Sequence, residues 1–340
     1  MTFRPVTILG CGMTTAVGLT APASCAAIRA RLDGFRETRF MAQGGEWIVG
    51  AEVPLEEPWR GIPRLARLVA GPIEECLRLC PDIPPESIPL LLCLAEEHRP
   101  GRLDALDASL PDMVCALLAA RFHEASRLFS RGRVAAASAL FHASRMIYDQ
   151  GFARVIVAGV DTYLTASTVR AFDARDRLLT PANSDGFIPG EAGAAVAVAA
   201  AGDGSVVRSL GFGIEQATIM SEQPLRADGL CRAMRDALAG AGLVMADIRE
   251  RVGTMSGEQY WFKEIDLATS RLLRDRHDFL NLRHPADAVG ETGSAALLCC
   301  LADVHAAERK GYGAGDPVLV TASNDDGLRA ALVLAAGRVA

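Results

Sequence analysis

The groups in this chain that could attack or protonate a carbonyl are its cysteines, histidines and carboxylates, and few of them are spaced to cooperate. Cys115 and His123 would supply a thiolate and an imidazolium for covalent catalysis. They stand eight residues apart, more than two turns along a continuous helix and beyond hydrogen-bond reach. They read as a core cysteine and a surface histidine. Ser138 and His142 share an alanine-rich segment, but no neighbour in sequence marks Ser138 as activated, and a small residue in a tight helix contact describes it better. Gly10-x-Gly12 follows a short apolar run as a dinucleotide loop would, yet the third glycine and the downstream acid are missing. The vicinal Cys299-Cys300 pair fits a helix core better than a redox site. Nine cysteines without a repeated spacing suggest neither a disulfide framework nor a zinc site. No metal and no cofactor are expected.

The elements that must position these groups alternate between brief apolar runs and longer helical ones, the pattern of an α/β protein. The expected strands are 6–9, 90–94, 154–158, 194–199, 252–255, 318–321 and 330–334. The expected helices are 21–31, 64–79, 111–122, 136–149, 225–241, 264–273 and 293–310. An internal echo organises them. Val6-Thr-Ile-Leu-Gly-Cys-Gly-Met13 returns as Val207-Arg-Ser-Leu-Gly-Phe-Gly-Ile214, and the alanine-rich helix, glycine and strand of 136–158 return at 293–321. Two similar halves, 1–202 and 203–340, are expected, divided in the turn at Ala200–Gly204. With 340 residues, half of them hydrophobic, the chain has ample core. A net charge of −6 without a basic stripe argues against nucleic acid. The opening apolar run, broken by Gly10, Gly12 and Gly18, is too interrupted for a signal peptide and too short for a membrane span. A cytoplasmic protein with no membrane contact is expected.

Three stretches carry a family resemblance: Ser138-Ala-Leu-Phe-His-Ala-Ser-Arg-Met-Ile-Tyr-Asp-Gln-Gly-Phe-Ala-Arg-Val-Ile-Val-Ala-Gly159, Leu179-Thr180-Pro181, and Ser184-Asp-Gly-Phe-Ile-Pro-Gly-Glu-Ala-Gly193. They resemble the nucleophile helix, the following strand and the Asp-Gly-Phe-x-x-Gly-Glu loop of the β-ketoacyl synthases, in the thiolase superfamily. The resemblance covers 133–193 and extends more loosely over 1–35 and 280–338. It implies a thiolase-like αβαβα layered fold from two similar halves, acyltransferase chemistry of the 3-oxoacyl-ACP synthase type in fatty acid or polyketide biosynthesis, and dimerisation through a strand within Leu128 to Arg133.

The residues that would carry that chemistry are replaced. The family's cysteine sits at a helix N-terminus, where the helix dipole favours the thiolate and backbone N–H groups form an oxyanion hole. Here that position falls on Val134, or with slippage on Ala135 or Ala136. The two histidines are replaced by Val252 and Glu291, the usual lysine has no counterpart in 281–289, and Ser323-Asn-Asp-Asp-Gly327 stands in for a Gly- and Phe-rich gating loop. Removing such a nucleophile or its base can lower turnover on the order of 10⁶-fold, so no condensing activity is expected. Glu291 reads as simple loss of constraint at a catalytic position, with cation binding or a pair with Arg283 as the alternatives. Ser138, His142, Asp185, Phe187, Glu191, Thr254 and Asn324 are set to line the vacated site. In the Asp185 loop, glycines allow sharp turns and the acids can hold backbone amides. The resemblance implies a catalytically silent subunit, adaptor or scaffold. It would be a homodimer or a heterodimer with a ketosynthase, as chain-length factors are, with acyl carrier protein or a type VI secretion effector as further partners. The alternatives are an acyltransferase with a relocated nucleophile and a non-covalent acyl or carrier-protein binder.

Overall fold

Alanine- and valine-rich runs with no polar alternation form strands covered on both faces. The computed structural model describes residues 3–274 and 281–337. Its strands are β1 (Val6–Thr14), β2 (Arg36–Met41), β3 (Trp47–Gly50), β4 (Leu90–Leu94), β5 (Arg127–Ser130), β6 (Val155–Thr162), β7 (Glu191–Ala199), β8 (Ser205–Ile214), β9 (Glu250–Gly253), β10 (Asn281–Arg283), β11 (Val318–Ser323) and β12 (Leu328–Ala335). Its helices are α1 (Ala21–Arg29), α2 (Gly61–Leu77), α3 (Leu106–Leu118), α4 (Ala135–Gln150), α5 (Ala166–Asp173), α6 (Asp228–Ala241), α7 (Gln259–Leu272), α8 (Ala286–Val289) and α9 (Ala296–Arg309).

Ten strands form a continuous sheet in the order β10-β9-β11-β12-β8-β1-β7-β6-β4-β5. Read outward from its centre, the two sides match strand for strand. β1 and β8 each pair antiparallel with the next strand, that strand pairs antiparallel with its neighbour, and the outer two pairings are parallel. The sides join only where Val6–Ile8 meet Ser205–Val207, which are the two strands of the sequence echo.

Three apolar clusters stack the layers. Leu65, Leu68, Val69 and Ile73 of α2, with Leu110 and Val114 of α3, cover the outer face of the β4–β6–β7 side. Leu230, Met234 and Ala237 of α6, with Trp261 and Ile265 of α7, cover the outer face of β11 and β12. Between the two sides lie α4 and α9, whose Ala136, Leu140, Leu297 and Leu301 pack on Val157, Val196, Val320 and Leu332. Small residues on α4 let it pass close between two strand layers. The result is the expected αβαβα architecture.

The differences from the sequence expectation have local causes. The helix expected at 111–122 starts five residues earlier, with Pro111 inside it, and ends at Ala119, which turns into left-handed backbone at φ 48°. The helix expected at 293–310 opens with a 3-10 turn, Gly293–Ala295, before α9 proper. The β2–β3 ribbon and α5 are short elements that the sequence expectation omits. The strand expected within 128–133 is β5, four residues at the sheet edge. It stops because Gly132 adopts φ 51° and turns Arg133 inward, where it is buried.

The Gly10-x-Gly12 motif has a packing explanation. A methyl group on Gly12 would collide with the backbone carbonyl of Pro72 in α2, and one on Gly193 of β7 with that of Leu68. α2 therefore lies directly on the two strands at these glycines. Gly12→Ala must push the helix off the sheet, and a loss of about 1–3 kcal/mol is expected in denaturant unfolding, the range for overpacking a tight core. Among the described residues no helix is long and apolar enough to cross a membrane, and no group of three or more His, Cys, Asp or Glu side chains could hold a metal ion.

Candidate functional site

The first N–H groups of a helix have no partner within it and attract negative charge or acceptors. α4 and α9 begin close together in the core, each after a 3-10 turn opened by a left-handed glycine, Gly132 at φ 51° and Gly293 at φ 52°. At the start of α4, the Val134 N–H donates to Asn324 Oδ1 at 3.3 Å, while Asn324 Nδ2 donates to the Arg131 carbonyl at 2.8 Å. A neutral amide thus takes up an N–H at the helix start. Before α9, Glu291 Oε1 accepts from Gly293 N at 2.8 Å and Asp161 Oδ2 accepts from Ser294 N at 3.2 Å.

These buried acids are met by buried arginines. Arg133 Nε donates to Glu291 Oε2 at 2.9 Å, and its Nη1 donates to Asp325 Oδ1 at 3.0 Å and to the Ser323 carbonyl at 3.2 Å. Its guanidinium lies 5.1 Å from the Trp261 ring centre. Ser256 Oγ donates to Glu291 Oε2 at 2.7 Å. Arg177 pairs with both oxygens of Glu258 and with Asp325 Oδ2 at 2.8 Å, and Trp261 Nε1 donates to Glu258 at 2.9 Å. Arg99 pairs with Asp161, and Arg329 Nε donates to Glu264 Oε1 at 2.7 Å. Burial pushes the Asp325 carboxyl up, but the charges of Arg133 and Arg177 outweigh it and hold the group at about 2. An ion buried without such partners would be strongly destabilising.

The lattice leaves little room. The crevice lined by Arg133, Thr254, Trp261 and Ser323 and the one lined by Gly253, Glu291 and Cys300 are each about 10 Å³, space for one water and not for an acyl chain.

The sequence-predicted residues are distributed as follows. Val134, Ala135, Glu291, Thr254 and Asn324 come together, all buried, at the facing helix starts; Val252 is buried in β9 beside them. Glu291 pairs with Arg133 and not with Arg283, which instead binds Glu250 and Asp303. The reason is topological: Arg283 belongs to edge strand β10, while the bend at Gly132 aims Arg133 between α4 and α9. Glu191 is fully buried and accepts from Val53 N at 2.9 Å and from Arg64. Asp185 is exposed and accepts from Gln259 N at 2.7 Å, so both acids hold backbone amides. Phe187 packs edge-on against Tyr163 and Phe172 in an aromatic cluster. Ser138 and His142 face away from the lattice into an open groove along β5 with Phe129, Phe141 and Phe212. Burial and the charges of Arg145 and Arg127 lower the pKa of His142.

Sequence reasoning missed the arginines and several acids, among them Asp161, Glu258, Glu264 and Glu96. Glu96 follows β4 and sits under Gly132. Its Oε2 is buried with no hydrogen-bond partner, and burial pushes the carboxyl up to about 7 against the pull of Arg133 and Arg99. A signal for the arginines was present in composition: Lys263 and Lys310 are the only lysines among 35 basic residues. Arginine's planar, weakly hydrated fork tolerates burial against carboxylates where lysine does not. Burial disfavours the thiolate at eight of the nine cysteines. Burial raises Cys11, Cys76, Cys80, Cys93, Cys115 and Cys300, and pushes Cys25 and Cys299 up to about 12.

No family model matches this chain, and no curated protein matches it. Solved structures do. A ketosynthase in complex with its chain length factor from Xenorhabdus doucetiae gives a TM-score of 0.79 at 14% identity, covering 98% of this chain and 98% of that one. The oxazolomycin ketosynthase domain from Streptomyces albus JA3453 gives 0.79 at 15% identity over 99% of this chain and 75% of that one. The ishigamide ketosynthase/chain length factor gives 0.76 at 17% identity over 98% and 99%. The chain has the thiolase-like fold of the ketosynthases and chain length factors.

Proposed function

We propose that this protein is a non-condensing, ketosynthase-like subunit that acts as chain length factors do, by pairing with an active ketosynthase in the cytoplasm. The observation that carries this reading is the Arg133–Glu291–Asp325 lattice with Asn324 against the Val134 amide, at the helix start to which the family resemblance assigns the thiolate and oxyanion hole. The pairing reading is supported by the groove of about 700 Å³ along edge strand β5, walled by Phe129, Phe141 and Phe212. An unpaired edge strand beside apolar side chains is suited to cover by another chain. The two halves, 1–202 and 203–340, would then be a duplicated unit that has kept its frame and lost its chemistry.

The test is intact-mass measurement after incubation with acyl-carrier-protein thioesters and acyl-CoA, followed by sizing with an added ketosynthase. The expected results are an unchanged mass and a one-to-one complex. A stoichiometric adduct mapped to one residue would instead establish an acyltransferase with a relocated nucleophile, and a stable homodimer that ignores the ketosynthase would overturn the pairing.

A further inference from the structure

Away from the helix starts, a polar cleft of about 820 Å³ opens between the end of α1, strand β10 and helix α9. Its size is that of a small-molecule site. Two carboxylates, Glu250 and Asp303, form its floor, and both side chains are almost wholly buried, at 2% and 1% exposure. Glu250 is saturated: it accepts from Asn281 Nδ2 at 3.1 Å and from Arg283 Nε and Nη2 at 2.5 and 3.1 Å. Asp303 is not. Its Oδ2 accepts from Arg283 Nη1, while its Oδ1 is buried with no hydrogen-bond partner among the described residues. One guanidinium therefore serves two buried acids, and burial pushes the Asp303 carboxyl up to about 6 despite Arg283. A buried acceptor left unpaired is disfavoured by the full desolvation of that group. On the rim stand Arg29, stacked 4.3 Å from the Tyr312 ring centre, and Arg31; both are exposed, and among the described residues neither makes an ion pair.

We propose that this cleft is a binding site for a small zwitterion of the amino-acid class, whose ammonium group donates to Asp303 Oδ1 and whose carboxylate meets Arg29 and Arg31. A ligand cation supplies the donor and the positive charge that the floor lacks, and the rim arginines supply partners for the opposite end. This site is separate from the proposed subunit role and does not depend on it.

The experiment is titration calorimetry with a melting-temperature readout on the full chain, using glycine, 4-aminobutanoate and 6-aminohexanoate as probes, with butylamine and butanoate as controls. At least one amino acid should bind and raise the melting temperature dose-dependently, while each control binds more weakly. Asp303→Asn keeps the oxygen that faces Arg283 but removes the charge, and should weaken binding roughly ten- to hundredfold, the range for losing a charged hydrogen bond. Arg29→Ala, at an exposed position, should weaken binding of the amino acid but not of butylamine. The proposal is overturned if none of the three amino acids binds, if Asp303→Asn binds as tightly as the parent, or if butylamine matches the best amino acid.

Discussion

Arg133→Met should destabilise the fold by about 3–5 kcal/mol in denaturant unfolding, the range for breaking a buried ion pair from one side. The reason is what remains. Glu291 would be left at 1% exposure with only Ser256 and the Gly293 amide as partners. Asp325 would suffer less, because Arg177 still holds it. The double variant Arg133→Met/Glu291→Gln removes both charges yet leaves an amide whose oxygen can accept from Gly293 N while its NH2 donates to Ser256 Oγ, so it should recover most of the loss. A non-additivity of this size identifies the pair as coupled. If the single and double variants were equally unstable, Arg133 would matter only for its packing against Trp261, and the lattice would lose its electrostatic explanation.

The Glu96 carboxyl sets a second expectation, in pH. Its pKa is raised in the folded protein to about 7 from an ordinary value near 4.5, so between those values the folded state binds more protons than the unfolded one. Stability from this group is fully present below about pH 4.5 and is lost as pH rises through 7. At 1.36 kcal/mol per pKa unit the loss is about 3 kcal/mol. Glu96→Gln, which mimics the protonated form, should match the parent near pH 4.5 and exceed it by about 3 kcal/mol at pH 8. Equal stabilities at pH 8 would mean that Arg133 and Arg99 already compensate the ionised carboxylate.

The fold was legible because its signals are local or repetitive. Strands such as Leu90–Leu94 and Ala194–Ala199 are apolar throughout, and the echo between Val6–Met13 and Val207–Ile214 marked the two strands that meet at the centre of the sheet. The Asp185 and Glu191 acids hold backbone amides as their glycine-rich setting suggested, but the amides are those of Gln259 and Val53, distant in sequence, so the partners themselves were not legible. Helix ends were less legible where a boundary depends on one backbone angle, as at Ala119 and Gly132.

The sequence by itself determined the layered α/β frame, the duplicated order of its elements, and the identities of the residues standing where a thiol and two imidazoles are expected. Those follow from hydrophobic period and residue type, which are written along the chain. Only the tertiary structure decided what surrounds those residues. Arg133 and Glu291 are 158 positions apart, and Arg133 and Asp325 are 192 apart. No spacing rule links such partners; the close approach of the α4 and α9 starts does, along with the exclusion of water that makes an unpaired charge there untenable. The same physics separated Arg283 from Glu291 and joined it to Glu250 and Asp303. A charge in a protein interior pairs with whatever the packing brings within reach, and that choice is made by the folded chain.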